Sequence, residues 1–395
     1  MPIGYLLTMG LVVAAILLAL RPPRRPRWLG IVGWMLSAFV NESPFLGLYW
    51  MLVATLLAFT QGDLVTPIAW AAFGLSLVSF VVGVPILIGR SMQTRRVLDE
   101  AFDRALGNGW RSAIDPVAQL PVRLPWARIV LAPLPIGWGV KRTANLSYGA
   151  GGTRNRLDVY RSRRGPTLGA PMLIHLHGGG FRTGRKNFYA RALLHEFARH
   201  GWICISANYR LRPATFPDFL ADAKKVIAWA RNHADDYGAD PTCIVIAGSS
   251  AGAHLAVSAA LTANNPAYQP GFEDTDTSVA AAIGLYGYYG PIESGPLPSS
   301  PAQFAHSGAP PLLIAHGNQD TYVPSEHARQ LATQLRDGSL NPVVYAELPG
   351  GQHTFDMFHS IRFEILIDGL QLFTTWIRSR PRAATTSDAP TATSR

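Results

Sequence analysis

At 395 residues, 48% of them apolar, and with a formal net charge of +10, the chain can hold one α/β domain of ordinary size and something more. The positive balance does not make it a nucleic-acid binder, because arginines supply most of it and are scattered among loops and chain ends, with no basic helix interleaved by aromatics. Two cysteines, Cys204 and Cys243, sit in apolar strand-like runs and read as small core residues, so no disulfide framework is expected.

The front of the chain is the something more. Ile3 to Leu20 is apolar and uncharged until the arginines of Arg21 to Arg27 stop it. Trp28 to Thr60 is apolar apart from Asn41-Glu42-Ser43-Pro44, and Leu64 to Gly89 is a third such run, closed by Arg90. Runs of this length and purity predict a transmembrane region over residues 1–90, with about three spans at 3–20, 31–60 and 64–89. The first run lacks a basic leader and a small-residue cleavage site, so it does not read as a signal peptide. With one span in the second run, the Arg21 to Arg27 group and the Arg90, Arg95, Arg96 group share a side. The positive-inside rule then predicts a multi-pass cell-membrane protein with everything after residue 90 in the cytoplasm. Two spans broken at Asn41 to Pro44 would put that portion outside, but each half would hold only about 13 to 16 residues, short for a bilayer core. A re-entrant hairpin is a further form the stretch could take.

Residues 91–139 are expected to connect the membrane region to the next domain. Ser91 to Gly107 patterns as an amphipathic helix, with Val97, Leu98, Phe102 and Leu106 on one face and Asp99, Glu100 and Asp103 opposite; it either connects or packs on the following domain. Leu131 to Val140, with Trp126 and Trp138 nearby, suits a lipid interface and suits packing beneath a first strand equally.

From residue 140 to 380 apolar runs alternate with helix-like ones. Met172 to Leu176 is followed by Asn187 to His200, Ile203 to Ala207 by Phe219 to Ala234, and Cys243 to Ala247 by Ala253 to Ala260. Such alternation predicts a mostly parallel sheet with helices on both faces and active groups at the strands' C-terminal ends. The first of these strands ends in His177-Gly178-Gly179-Gly180-Phe181, where three glycines free the backbone to aim N–H groups at one point, as an oxyanion hole requires. No Lys-Ser/Thr follows them as in a phosphate-binding loop. Cys243 to Ala247 runs into Gly248-Ser249-Ser250-Ala251-Gly252, a GxSxG pentapeptide in the strand-turn-helix setting that exposes a serine hydroxyl at the sheet edge.

Acid and base should follow in that order. Asp320 lies just past the strand Pro311 to Ala315, whereas Asp274, Asp276 and Glu293 lack a preceding strand and Asp337 falls near a helix end. His353 follows the strand Val343 to Leu348 through a Pro-Gly-Gly-Gln loop able to swing an imidazole over Ser250. His327 reads as a surface residue of the helix Ser325 to Arg336, His359 as the start of the next helix, and His175 and His316 as strand packing groups. Past residue 380 the Ala/Thr/Ser/Pro composition predicts a disordered tail, 381–395.

These motifs, together with Asn208-Tyr209-Arg210-Leu211-Arg212-Pro213, Phe216-Pro217, Asp222-Ala223 and Trp229, resemble the α/β-hydrolase fold from about Val140 to Arg378. Within it they are similar to the hormone-sensitive-lipase-like carboxylesterases, the actinobacterial Lip esterases and the BD-type feruloyl-esterase-like enzymes. The lipase-like branch has an acidic residue where this chain has Ser249, and Thr321-Tyr322-Val323-Pro324 looks more like the peptidase-like and feruloyl-esterase-like branches. By position, the resemblance implies Ser250 as nucleophile, Asp320 as acid, His353 as base and the N–H groups of Gly179, Gly180 and Ala251 as oxyanion donors. His177, Gly178, Gly248 and Gly252 support the two motifs. Only about twenty residues separate Tyr286, Tyr288 and Tyr289 from Pro310, so a short cap and an open site are expected.

The chemistry implied is two-step acyl transfer through an acyl-enzyme, on a small-molecule or lipid ester, without metal or cofactor: there is no HExxH and no CxxC pair. The alternatives are an acyltransferase or amidase using the same residues, or a non-catalytic hydrolase fold used for binding. A transporter is poorly served by spans whose only polar interruptions are Asn41, Glu42 and Asp63.

Overall fold

The structure, a computed structural model, describes residues 3–114, 123–131, 139–165, 167–292 and 297–380. The predicted tail 381–395, Glu293 and most of the apolar stretch 131–140, Trp138 included, lie outside the described residues.

Four apolar helices come first: α1 (Ile3–Leu20), α2 (Arg27–Glu42), α3 (Pro44–Thr60) and α4 (Pro67–Met92). Ile3–Leu20 and the stretch Pro67–Leu106 are long and apolar enough to cross a membrane. The second run, read from sequence as one span over 31–60 with a break at Asn41 to Pro44 or a re-entrant hairpin as alternatives, forms two helices. It breaks at Ser43, and α2 and α3 meet at 94°. Pro44 causes the break: it occupies the first turn of α3, has no N–H to donate back into α2, and pushes Ser43 off helical geometry to φ −136°, ψ 67°. Outward-facing side chains of the bundle are large and apolar: Leu7, Leu17, Trp50, Phe59, Trp70 and Val81 are each more than half exposed.

After α5 (Thr94–Leu106) and the short α6 (Trp126–Val130), the chain enters an eight-stranded sheet: β1 (Val140–Ser147), β2 (Arg156–Ser162), β3 (Ala170–Leu176), β4 (Ile203–Ala207), β5 (Ala239–Ser249), β6 (Ala281–Leu285), β7 (Leu312–Gly317) and β8 (Val343–Leu348), in spatial order β1-β2-β4-β3-β5-β6-β7-β8. β1 and β2 pair antiparallel, as do β2 and β4, and all other pairs are parallel. Strands β3, β4, β6 and β7 are buried at every residue, as a parallel sheet covered on both faces requires. The cover comes from α7 (Arg191–Arg199), α8 (Phe216–Asn232), α9 (Ala251–Leu261), α10 (Glu326–Gly338) and α11 (Ile361–Ser379). α5 joins that layer: Leu98, Ala101 and Phe102 are buried in the same core cluster as Leu366 and Phe373 of α11, and its acidic face carries ion pairs from Asp99 to Arg111 and from Glu100 to Arg96.

Candidate active site

Four loops leave the C-terminal edge of the parallel strands and converge. Ser250 follows β5 directly and adopts φ 53°, ψ −115°, a backbone state rarely held by a residue with a side chain and one that raises the hydroxyl above the sheet. The turn closes only because its flanks lack side chains: a Cβ on Gly248 would lie 2.1 Å from the Gly252 carbonyl oxygen, and one on Gly252 would lie 2.1 Å from that of Leu176. α9 starts at once, and each of its residues is buried.

Asp320 follows β7 and His353 follows β8. His353 Nδ1 donates to Asp320 Oδ2 at 2.7 Å, and the Ser250 hydroxyl lies 3.0 Å from His353 Nε2, to which it can donate. The other Asp320 oxygen accepts the N–H groups of Tyr322 and Val323 at 2.9 and 2.8 Å. Burial works to raise the Asp320 carboxyl, but the charge on His353 and hydrogen bonds from His316 and His353 outweigh it and hold the group down at about 2. The carboxylate is thus ionised at neutral pH, and it fixes the imidazole with Nε2 free to accept a proton. Such a dyad can deprotonate a serine.

The loop after β3 borders the cleft at this site, which Gly180 lines together with Ser250 and Ala251. Gly179 takes φ 123° and Gly180 φ 60°, and among the described residues the N–H groups of Gly179, Gly180 and Ala251 have no hydrogen-bond acceptor. His177 does not point into this space. It stacks on Tyr209 with ring centroids 4.4 Å apart, and its Nδ1 donates to the Gly178 carbonyl at 2.6 Å. Tyr209 in turn donates to the His177 carbonyl at 2.8 Å, and its neighbour Arg210 grips buried Asp222 through two nitrogens at 2.9 Å each. The Asn208 to Pro213 element therefore braces the glycine loop from below. The cleft beside Ser250 has a volume of about 240 Å³ and is lined by Phe181, His254, Tyr288, Ile292, Tyr322 and Val323 among others.

The remaining sequence candidates stand outside the Ser250, His353 and Asp320 relay. His327 packs its ring 4.8 Å from Tyr288 on α10, His359 pairs with Glu364, Asp276 with Arg231, and Asp337 lies in the last turn of α10. His316 donates to the Val323 carbonyl at 2.8 Å and reaches Asp320 at 3.4 Å, so it steadies the acid's loop. His175 donates to Ser249 at 2.9 Å.

Three participants were not singled out from sequence. Asp356, fully buried three residues past His353, accepts hydrogen bonds from Ser249 and Tyr286, and burial pushes its carboxyl up. Tyr286 packs edge-on against His353 with centroids 4.7 Å apart. This carboxylate ties the turn of Ser250 to the loop of His353, and the position before the serine, unexpectedly not acidic, is the hydroxyl that binds it. The third is Trp34 of α2, whose indole donates to the His353 carbonyl at 3.0 Å. Among the described residues no group of three or more His, Cys, Asp and Glu could hold a metal ion.

The BD-FAE family model matches residues 157–293. Over 390 residues the chain is 34% identical to a protein of Mycobacterium tuberculosis named "probable carboxylic ester hydrolase LipM", covering 91% of this chain and 90% of that one. It is 37% identical over 270 residues to esterase LipQ of the same organism, covering 62% of this chain and 64% of LipQ. A truncated carbohydrate esterase from gut microbiota shares the fold, with a TM-score of 0.51 at 21% identity over 60% of this chain and 96% of that one.

Proposed function

Because this chain belongs to the carboxylic ester hydrolases of the α/β-hydrolase fold, we propose that it is a membrane-anchored serine esterase using Ser250 as nucleophile, His353 as general base and Asp320 as acid, with the N–H groups of Gly179, Gly180 and Ala251 binding the oxyanion. The observation that carries this reading is the unbroken hydrogen-bond relay from Ser250 through His353 to Asp320. Its Nε2 takes the hydroxyl proton as the serine oxygen attacks the ester carbonyl, Asp320 stabilises the resulting imidazolium, and the proton leaves with the alcohol. Water activated by the same nitrogen then releases the acid from the acyl-enzyme. An acyltransferase would run the first half alike and admit an alcohol or amine in place of water.

The membrane part of the reading rests on the helices. α1, α3 and α4 serve as three spans, α3 being about 26 Å long at 1.5 Å per residue, and α2 lies along the bilayer surface under the hydrolase domain. The Ser250 cleft then opens close to the membrane, which suits an ester that partitions into lipid. The test is a panel of p-nitrophenyl esters of rising acyl length, plus an anilide of matching acyl group, on the full chain in detergent micelles. Esters should turn over with the anilide at least about 10² slower; a preference for the anilide would favour the amidase reading.

The oxyanion assignment gives a separate expectation. A Cβ on Gly179 would stand 2.1 Å from the Thr183 carbonyl oxygen in a backbone state disfavoured for alanine. Gly179→Ala should shift the donors off the developing charge and lower kcat by on the order of 10² with a smaller change in KM. An unaltered kcat would mean that the glycine serves the turn alone.

A further inference from the structure

The membrane helices of an anchored enzyme need only tether it. Here they grip the two loops that carry the acid and the base. Arg24 donates to the Asn318 carbonyl at 3.0 Å, Gln319 donates to the carbonyl of Leu20 at 3.4 Å, and Thr321 donates to the Gly30 carbonyl at 2.8 Å. These bonds bracket Asp320 on both sides. On the neighbouring loop, Asn41 donates to the Gly350 carbonyl at 2.9 Å and Trp34 to that of His353 at 3.0 Å. The Trp34 ring also lies 4.9 Å from Tyr322, which itself packs 4.9 Å from His353.

The grip is specific in its chemistry. α2 turns Gly30, Gly33, Ser37, Asn41 and Glu42 inward and buries them. Glu42 forms a buried ion pair with Arg362 and accepts from Ser360 at 2.9 Å. Removing either charge would leave the other buried and unpaired, so this end of the helix is locked to the hydrolase domain. The opposite face carries Trp28, Met35 and Phe39, each at least half exposed. One helix therefore presents an apolar face outward and a hydrogen-bonding face to the relay.

We infer that the segment from Leu20 to Glu42 is a working part of the catalytic centre and that Trp34 is a positioning residue for His353. The inference rests on the proposed relay. A displacement of about 1 Å in such a relay can cost on the order of 10² in rate, so bonds that fix the Asp320 and His353 loops govern kcat more than substrate affinity. The His353 carbonyl also accepts from Thr354 at 2.6 Å, so losing the indole N–H leaves no orphaned acceptor and acts on placement rather than on folding.

The test uses the full chain in detergent micelles with active sites counted by stoichiometric fluorophosphonate labelling, so that kcat is per competent site. Trp34→Phe keeps the ring and removes the donor; Asn41→Ala removes the bond to the Gly350 carbonyl on the His353 loop. Each should lower kcat per titrated site by about tenfold with KM within about twofold, while Trp50→Phe, exposed on α3 and outside the segment, should match wild type. A smaller titratable fraction with wild-type kcat per site in both variants would overturn the inference and leave α2 as an anchor. Should one variant fail to accumulate, the other decides alone. If the wild-type chain takes no label, the serine assignment is what fails, which separates the two ideas.

Discussion

Ser250→Ala should abolish ester hydrolysis, by a factor on the order of 10⁴ or more, and with it covalent labelling by a fluorophosphonate. The neighbouring hydroxyl cannot substitute. Ser249 is fully buried with its oxygen occupied by His175 and Asp356, whereas Ser250 stands in the positive-φ turn 3.0 Å from the imidazole. Ser249→Ala should therefore keep its label. It should still cost roughly 1–3 kcal/mol of stability, because the His175 N–H and one Asp356 oxygen lose their partner inside the core. Thermal melts and gel-based labelling of the two variants separate these effects. A label that persists in Ser250→Ala would refute the assignment.

How much of this was readable beforehand depends on range in the chain. The Ser250 turn is encoded within five residues, since Gly248 and Gly252 are needed by contacts of the turn itself and with the adjacent strand end. Asp320 and His353 each follow an apolar strand by a short loop, so strand periodicity points to their edge of the sheet. The antiparallel pair β1 and β2, by contrast, has interrupted apolar patterning, and the five-residue β6 runs through Ala and Gly; neither stands out from its flanks. Nothing local in the sequence marks Asp356, whose partners are 70 and 107 residues away. Trp34 lay in a run read as lipid-facing, and only the bend at Ser43 lays that run against the His353 loop. Pro44 was visible, but a proline says where a helix stops and not where the next one goes. Asn41 and Glu42 were the usable signal: a charge inside an apolar run implies a partner, and Arg362 supplies it.

That bend also decides the orientation expected of the enzyme. The C-terminal end of α1 and that of α4 meet where the Leu20 carbonyl accepts from both Arg90 and Gln319, at the hydrolase domain. Tyr5, early in α1, lies 3.3 Å from Thr55, late in α3, so the turn between α3 and α4 sits at the other end of the bundle. With α1, α3 and α4 as the proposed spans, the chain is expected to cross twice between the Arg21 to Arg27 group and Arg90, through α3 and α4, keeping both basic groups with the hydrolase domain, which the positive-inside rule would put in the cytoplasm. Both native cysteines are buried, which makes introduced ones legible. Leu340→Cys, at a position 87% exposed on the hydrolase domain, should resist an impermeant maleimide in intact cells and react after lysis. Gln61→Cys, exposed at the far end of the bundle, should react in intact cells. The reverse pattern would invert the protein in the membrane, and labelling of both from outside would mean that α1, α3 and α4 do not cross as three spans.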